Sequence, residues 1–210
     1  MKKGLTELVF ILDRSGSMAG LESDTVGGFN GMLKKQREVE GEAVVTTVLF
    51  DDRYELLHDR IPLEGVRPLT GKQYYVRGCT ALLDAVGRTI CKIAGAQKNT
   101  AEEQRAEKVI VVITTDGLEN ASREYSYGQV RRLIEEKQKE HGWEFLFLGA
   151  NMDAVFEGAR LGIRAERSAT YDCDSDGLSA QYQAVSCFLE QARSCAAPAG
   201  AEWKKPIENG

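Results

Sequence analysis

Five oxygen-bearing side chains in three short segments of the chain could together bind a metal ion. Asp13, Ser15 and Ser17 form a D-x-S-x-S motif, and Thr80 and Asp116 stand in the other two segments. Carboxylate and hydroxyl oxygens are hard ligands, which select Mg²⁺, Mn²⁺ or Ca²⁺ over zinc or copper. Because few charges stand among many neutral oxygens, such a cation would be under-neutralised and would attract an anion from outside the chain.

The elements that must position these side chains are predicted from the apolar pattern. Residues 7–12 and 109–113 are continuous apolar runs, as expected for strands of a parallel sheet that is covered on both faces. The pattern also predicts strands at 43–50, 53–61, 143–148 and 164–168, and helices at about 23–39, 81–97, 127–140, 152–160 and 177–194.

This alternation predicts a doubly wound α/β fold with a mostly parallel sheet and helices on both faces. One antiparallel edge strand is expected after the acidic turn at Asp51-Asp52. Ligands of such sheets bind beyond the carboxyl ends of the strands, where the strand order reverses. We therefore expect a ligand site at the loops after residues 12, 113 and 148.

The first predicted helix carries two further expectations. Ser23 has the side chain of an N-cap, so we expect the helix to begin there. Gly27, Gly28 and Gly31 lower the helix propensity of this segment, so we expect them to permit close packing against another part of the protein.

The three oxygen-bearing segments resemble the metal-ion-dependent adhesion site of von Willebrand factor A domains. That site consists of a D-x-S-x-S motif, a distant Thr and a distant Asp, and all five positions have counterparts in this sequence. The G-x-T-x-L-x-D-A run at 78–85 and the I-T-T-D-G run at 113–117 are typical of bacterial members. The resemblance covers roughly residues 6–195, so we expect one Rossmann-like domain at 1–195 and a C-terminal tail at 196–210.

The resemblance also implies a role for each residue of the site. Ser15 and Ser17 bind the ion directly, Thr80 binds it directly or through water, and Asp13 and Asp116 act mostly through bound waters. One octahedral position stays open for an Asp or Glu carboxylate of a protein partner. The expected function is a metal-dependent protein–protein interaction module without enzymatic activity, and the expected ion is Mg²⁺, with Mn²⁺ or Ca²⁺ as alternatives.

The composition argues against several classes of partner. The net charge of −5 and the absence of a Lys/Arg stripe argue against nucleic acid. The only apolar run near the start, at 8–12, is too short for a secretory signal or a membrane span. Five cysteines without a C-x-x-C pair indicate reduced thiols. We therefore expect a cytoplasmic protein with no membrane partner, while the sequence leaves its oligomeric state open.

A second acidic segment could bind calcium. Asp172, Asp174 and Asp176 match the opening of an EF-hand loop, but Gln183 stands where the loop requires a bidentate Glu. The three acids also suit the N-terminal dipole of the following helix, so capping is the simpler interpretation.

Other polar residues near the three segments have two possible roles. Glu119, Asn120, Asn151 and Asp153 follow predicted strands and either line the rim of the metal site or serve as ordinary loop residues. Asp84 stands just inside a predicted helix, where an acid interacts favourably with the helix dipole, so we do not expect it to be a ligand.

Two alternative functions use the same residues. A phosphohydrolase of the haloacid-dehalogenase type would use Asp13 as nucleophile with Mg²⁺, but such enzymes have a second acid where this chain has Ser15. A scaffold with a vestigial metal site would show no change in behaviour when metal is removed.

Overall fold

The computed structural model describes residues 1–194 and 200–208. All strands within these ranges belong to a single sheet. The strands are β1 (Lys2–Asp13), β2 (Glu42–Phe50), β3 (Tyr54–Pro62), β4 (Ala106–Thr115), β5 (Glu144–Ala150) and β6 (Ser168–Tyr171). The helices are α1 (Glu22–Gln36), α2 (Leu82–Asn99), α3 (Tyr127–His141), α4 (Ala154–Arg160), α5 (Ser175–Ser194) and α6 (Lys205–Glu208). The strand order in the sheet is β3-β2-β1-β4-β5-β6.

The strand order reverses between β1 and β4. From β1 the chain adds β2 and β3 on one side, and it then crosses to the other side to add β4, β5 and β6. Only β3 is antiparallel, at the edge, and every other pair is parallel. The predicted α/β fold with one antiparallel edge strand is therefore confirmed. The switch point of the sheet lies between β1, which ends at Asp13, and β4, which Asp116 directly follows.

Helices cover both faces of the sheet, and β1 contributes to the two cores alternately. Leu8, Phe10 and Leu12 face the core under α1 and α5, while Val9 and Ile11 face the core under α2 and α3. All five are at most 1% exposed. This burial on both faces explains why β1 reads as a continuous apolar run.

The structure corrects the predicted ends of two elements. The first helix begins at Glu22 and its N-cap position is Leu21, so Ser23 is not the N-cap. The last strand is Ser168–Tyr171, whereas the sequence predicts it at 164–168, because the residues before it form a short 3₁₀ turn. That turn is held by Arg167, which is buried and donates to the carboxylate of Glu144 at 2.8 Å.

The segment predicted as a tail, 196–210, packs onto the domain where it is described. Trp203 is fully buried, its ring meets Phe188 edge to face at 5.8 Å, and its Nε1 donates to the carbonyl of Glu166 at 3.0 Å. Residues 195–199 and 209–210 lie outside the described residues, so the predicted boundary at 195/196 stays a prediction. None of the helices in the described ranges has the length and apolar character needed to cross a bilayer.

Close packing at a glycine is observed at one of the three positions where the sequence predicts it. A Cβ on Gly28 would lie 2.2 Å from the ring of Tyr182 on α5, whereas Gly27 and Gly31 have nothing within 4 Å. The contact between α1 and α5 therefore depends on Gly28.

Gly28→Ala should lower the free energy of unfolding by about 1–3 kcal/mol, because the added methyl group overpacks the contact with Tyr182. Gly27→Ala, one position away on the open side of the same helix, should raise it by about 0.5–1 kcal/mol through helix propensity. Denaturant unfolding of the two variants measures the difference. Equal stabilities would contradict the packing described for α1 and α5.

Candidate metal centre

The side chains of the D-x-S-x-S motif and Asp116 meet beyond the carboxyl ends of β1 and β4. One carboxylate oxygen of Asp13 accepts the N–H of Ser15 at 2.7 Å, and the other accepts the hydroxyl of Thr115 at 2.6 Å. The hydroxyls of Ser15 and Ser17 lie 3.1 Å apart, and Ser17 donates to Asp116 at 2.7 Å. A continuous chain of oxygen atoms therefore joins the loop after β1 to the loop after β4.

Thr80 enters the same cluster from the loop that precedes α2. Its backbone N–H donates to the Asn120 side chain at 2.9 Å, and its carbonyl accepts the N–H groups of Asn120 and Ala121 at 3.0 and 3.2 Å. A Cβ on Gly117 would lie 2.8 Å from the Thr80 hydroxyl and 3.5 Å from the Ser17 hydroxyl. The absence of a side chain at Gly117 thus leaves a small space bounded by these two hydroxyls.

Both carboxylates of the cluster are held in an environment that disfavours their charge. Asp13 is 2% exposed, and this burial raises its pKa to about 6 in spite of the hydrogen bonds from Thr115 and Ser15. Burial also raises the pKa of Asp116. A nearby cation would stabilise the charged form of both groups.

The residues present fit a divalent cation. The donors are hydroxyl and carboxylate oxygens, the chemistry that Mg²⁺, Mn²⁺ and Ca²⁺ prefer. The two carboxylates accept hydrogen bonds from neutral N–H, O–H and S–H groups, the last from Cys173 at 3.9 Å to Asp116. Because these donors carry no positive charge, the negative charge of the two carboxylates remains available to balance the positive charge of an ion at Gly117.

Arg14, inside the motif, points away from the cluster. Its guanidinium is buried and donates to Asp51 at 3.0 Å and to Glu55 at 2.7 Å. Arg77 also donates to Asp51, at 2.6 Å. Burial alone would raise the pKa of Asp51, but the hydrogen bonds from Arg77 and Arg53 and the charge of Arg14 hold it below the ordinary value.

Asp51 is the structural residue that the sequence prediction missed, because Asp51-Asp52 reads only as a turn. Its side chain is fully buried, and its carbonyl accepts the N–H of Ala81, the residue after Thr80. Asp51 therefore ties the loop after β2 to both Arg14 and the Thr80 loop. The only clue in the sequence would have been Arg14, which needs an acidic partner if it is buried.

The carboxylates of Glu119 and Asp84 are engaged by backbone N–H groups. The Glu119 carboxylate accepts the N–H of Leu83, near the start of α2, at 2.9 Å, as well as N–H groups of its own loop. Asp84 accepts three backbone N–H groups of residues 123–125, each at 2.9 Å. Burial would raise the pKa of Asp84, but these N–H groups lower it. Together the two acids bind the loop after β4 to α2, and this loop in turn carries Asn120 to Thr80.

The remaining candidate residues act as caps and turn residues. Asp153 caps α4 by accepting the N–H of Phe156 at 2.9 Å. Asn151 accepts the N–H of Cys173 at 3.2 Å, and Asp174 accepts the N–H of Gly177 at 2.7 Å. These contacts favour the capping interpretation of the 172–177 segment over a calcium loop.

Comparison with known proteins adds information at the level of the fold. No protein-family model and no curated protein matches the sequence. Among solved structures, the chain is similar to proximal thread matrix protein 1 from the mussel byssus with a zinc-occupied MIDAS motif. The TM-score is 0.60, with 16% identity, over 90% of this chain and 46% of that chain.

Two further solved structures are similar to this chain in fold. The ArnB paralog VWA2 from Sulfolobus acidocaldarius matches with a TM-score of 0.53 and 17% identity, over 85% of this chain and 44% of that chain. The manganese-loaded TRAP protein of Plasmodium vivax matches with a TM-score of 0.57 and 16% identity, over 82% of this chain and 70% of that chain. This chain has the von Willebrand factor A fold. It spans less than half of the byssus protein and of VWA2, and identities this low establish similarity of fold alone.

Asp51→Ala should lower the free energy of unfolding by about 3–5 kcal/mol, because it removes the fully buried acid that pairs with the buried Arg14 and leaves only the partly exposed Glu55 to balance that charge. Asp52→Ala removes the exposed neighbour in the same turn and should change stability by less than about 0.5 kcal/mol. Thermal or denaturant unfolding compares the two variants. Similar losses in both would mean that the turn, and not the ion pair, matters.

Proposed function

We propose that this A domain is a metal-dependent protein-interaction module that binds one divalent cation, Mg²⁺ in the cell. The residues that would hold the ion are Asp13, Ser15, Ser17, Thr80 and Asp116. The observation that carries the proposal is the convergence of three loops on one space at Gly117, bounded by hydroxyls and flanked by two acids. The bound cation would supply the positive charge that a partner's Asp or Glu carboxylate recognises.

The exposure of the residues in the cluster supports the approach of a partner from one side. Asp13, Ser15 and Thr80 are each 2% exposed, whereas Ser17 is exposed and Asp116 is half-buried. An ion held by these groups would be covered by protein on the sheet side and open toward solvent beside Ser17. Mg²⁺ bound by few protein groups keeps such open positions for water or an external ligand.

Two of the solved structures with this fold carry a divalent metal ion, which supports the proposal of a cation here. The byssus protein holds zinc at its MIDAS motif and the Plasmodium protein is manganese-loaded. We propose Mg²⁺ for this chain because the oxygens of its hydroxyl and carboxylate side chains are harder ligands than those that zinc prefers.

The geometry supports binding over phosphoryl transfer. Both carboxylate oxygens of Asp13 already accept hydrogen bonds, and the side chain is 2% exposed. A nucleophile must approach its substrate at contact distance, which this burial prevents. Asp13 is therefore suited to organise the loop after β1 and to supply charge.

A cytoplasmic location is part of the proposal. Cys79, Cys91, Cys173 and Cys187 are free thiols in the structure, as is usual in a reducing compartment. The fifth cysteine, Cys195, lies outside the described residues.

Titration of Mg²⁺, Mn²⁺ or Ca²⁺ into chelator-treated protein should reveal one saturable site by calorimetry. Asp13→Ala and Ser15→Ala should each weaken it by at least about tenfold, since one removes charge beside the ion and the other a direct ligand. Asp172→Ala, at an exposed acid of the capping segment, is the matched control and should leave the affinity unchanged. Circular dichroism establishes that each variant is folded.

The opposite pattern would contradict the proposed site. Binding that survives Asp13→Ala and Ser15→Ala but is lost in Asp172→Ala would move the ion to the 172–177 segment. No binding of any of the three ions at high millimolar concentration would leave the fold but reject the mechanism.

A further inference from the structure

A groove of about 330 Å³ opens in the surface directly beside the candidate metal centre. Asp116, which accepts the hydroxyl of Ser17, forms one wall, and Leu118, Met152 and Phe156 supply the apolar lining. The groove lies between the loop after β4 and the start of α4. The metal centre and the groove are therefore neighbours that share a single side chain.

Two of the three apolar side chains that line this groove are exposed to solvent. Leu118 is 57% exposed and Phe156 is 60% exposed, and Val155 beside it on α4 is 43% exposed. Within the described ranges, these are three of only five large hydrophobic side chains that are exposed. An apolar patch left in water next to a polar site is typical of a binding surface.

The chain builds this groove with specific local structure. A Cβ on Gly149, near the end of β5, would lie 2.7 Å from the side chain of Met152, so the glycine allows Met152 to fold over the strand end. Asn151 has a positive φ of 51°, and its N–H donates to the carbonyl of Tyr171 at 3.0 Å. The turn that presents Met152 is thus held to β6 on its outer side.

The acids around the groove are already satisfied within the protein. The Asp153 carboxylate accepts the N–H of Phe156 at 2.9 Å. Glu157 accepts the hydroxyl of Tyr127 at 3.2 Å and the guanidinium of Arg160 at 2.9 Å. None of the residues that line the groove is Lys, Arg or His. The walls therefore favour an apolar group, and a carboxylate beside it would be attracted to an ion next to Asp116.

We propose that this groove receives an apolar side chain from the same protein segment whose Asp or Glu carboxylate binds the metal. The inference rests on the proposed function, and it adds a second element to the partner's chemistry. Charge complementarity directs the carboxylate to the cation, and burial of Leu118 and Phe156 rewards an apolar group at its side. The partner motif is an acidic residue next to a large hydrophobic one.

A series of small carboxylates tests the inference without a known partner. The probes are acetate, butyrate, 4-phenylbutyrate and 4-aminobutyrate, titrated into the Mg²⁺-saturated full chain and into chelator-treated protein. NMR of the backbone amides gives the affinity and shows which residues respond. We expect 4-phenylbutyrate to bind at least about tenfold more tightly than acetate, with amide shifts at Leu118 and Phe156.

Three variants identify the source of that gain. Phe156→Ser and Leu118→Ser should each reduce the advantage of 4-phenylbutyrate over acetate by at least about threefold and leave the Mg²⁺ affinity unchanged. Val155→Ser is the matched control, because Val155 is exposed on the same helix but does not line the groove. It should leave the advantage intact.

The outcomes separate this inference from the proposed function. Metal-dependent acetate binding without any gain from an apolar tail would overturn the inference alone. A gain that survives both groove variants, one that persists without Mg²⁺, or tighter binding of 4-aminobutyrate would also overturn it. No metal-dependent binding of any carboxylate would reject the proposed function and the inference together.

Discussion

The hydrogen bond from the Thr115 hydroxyl to the Asp13 carboxylate joins the two central strands at the point where they end. It exists because β1 and β4 pair in parallel with Leu12 beside Thr114, so that the next residue of each strand leaves the sheet at the same edge. The sheet is covered on both faces, and the carboxylate is consequently buried where its charge is costly. The oxygen-rich loops around Gly117 can be understood as an arrangement that a cation would complete.

The alternating direction of side chains in extended backbone explains how one loop serves two purposes. Ser15 has extended dihedral angles, so the side chains of Asp13 and Ser15 face the cluster while Arg14 projects to the opposite side. The 3₁₀ turn Gly16–Met18 then brings the Ser17 hydroxyl to that of Ser15. On the opposite side, the guanidinium of Arg14 is held by Asp51 and Glu55. The ion pair therefore anchors the loop after β1 without placing a positive charge beside Asp116. Removing that anchor would disturb the position of the ligands through the backbone and not through their chemistry.

The sequence predicted the fold and the five residues of the cluster because both depend on local signals. Buried parallel strands are continuous apolar runs, and a loop motif at a strand end is positioned by the sheet itself. Contacts between distant segments could not be predicted in this way. The pairing of Asp51 with Arg14, the packing of Trp203 on Phe188 and the role of Glu119 at the start of α2 depend on which loops meet in space. The prediction of Ser23 as the N-cap was wrong for a local reason: the helix begins at Glu22, and its N-cap position is Leu21, which makes no side-chain capping hydrogen bond.

Recognition of a partner by this domain would combine two forces of different range and geometry. A cation attracts a carboxylate from a distance and fixes its direction, whereas the groove formed by Leu118, Met152 and Phe156 contributes only at contact. Metal alone would therefore select acidic residues in general, and the groove would restrict them to a particular sequence context. Leu118 follows Asp116 by two residues, so the loop after β4 contributes to both selections.

Anomalous diffraction from crystals soaked in Mn²⁺ tests most directly whether the cation lies among the hydroxyls at Gly117. We expect one strong peak within about 2.0–2.6 Å of the Ser15 and Ser17 hydroxyl oxygens, with Asp13 and Asp116 around it. Two other acidic groups could compete for the ion: the acids at 172–176, and Glu136, Glu140 and His141 at the end of α3. A peak at either place, with none between Ser15 and Ser17, would contradict the account.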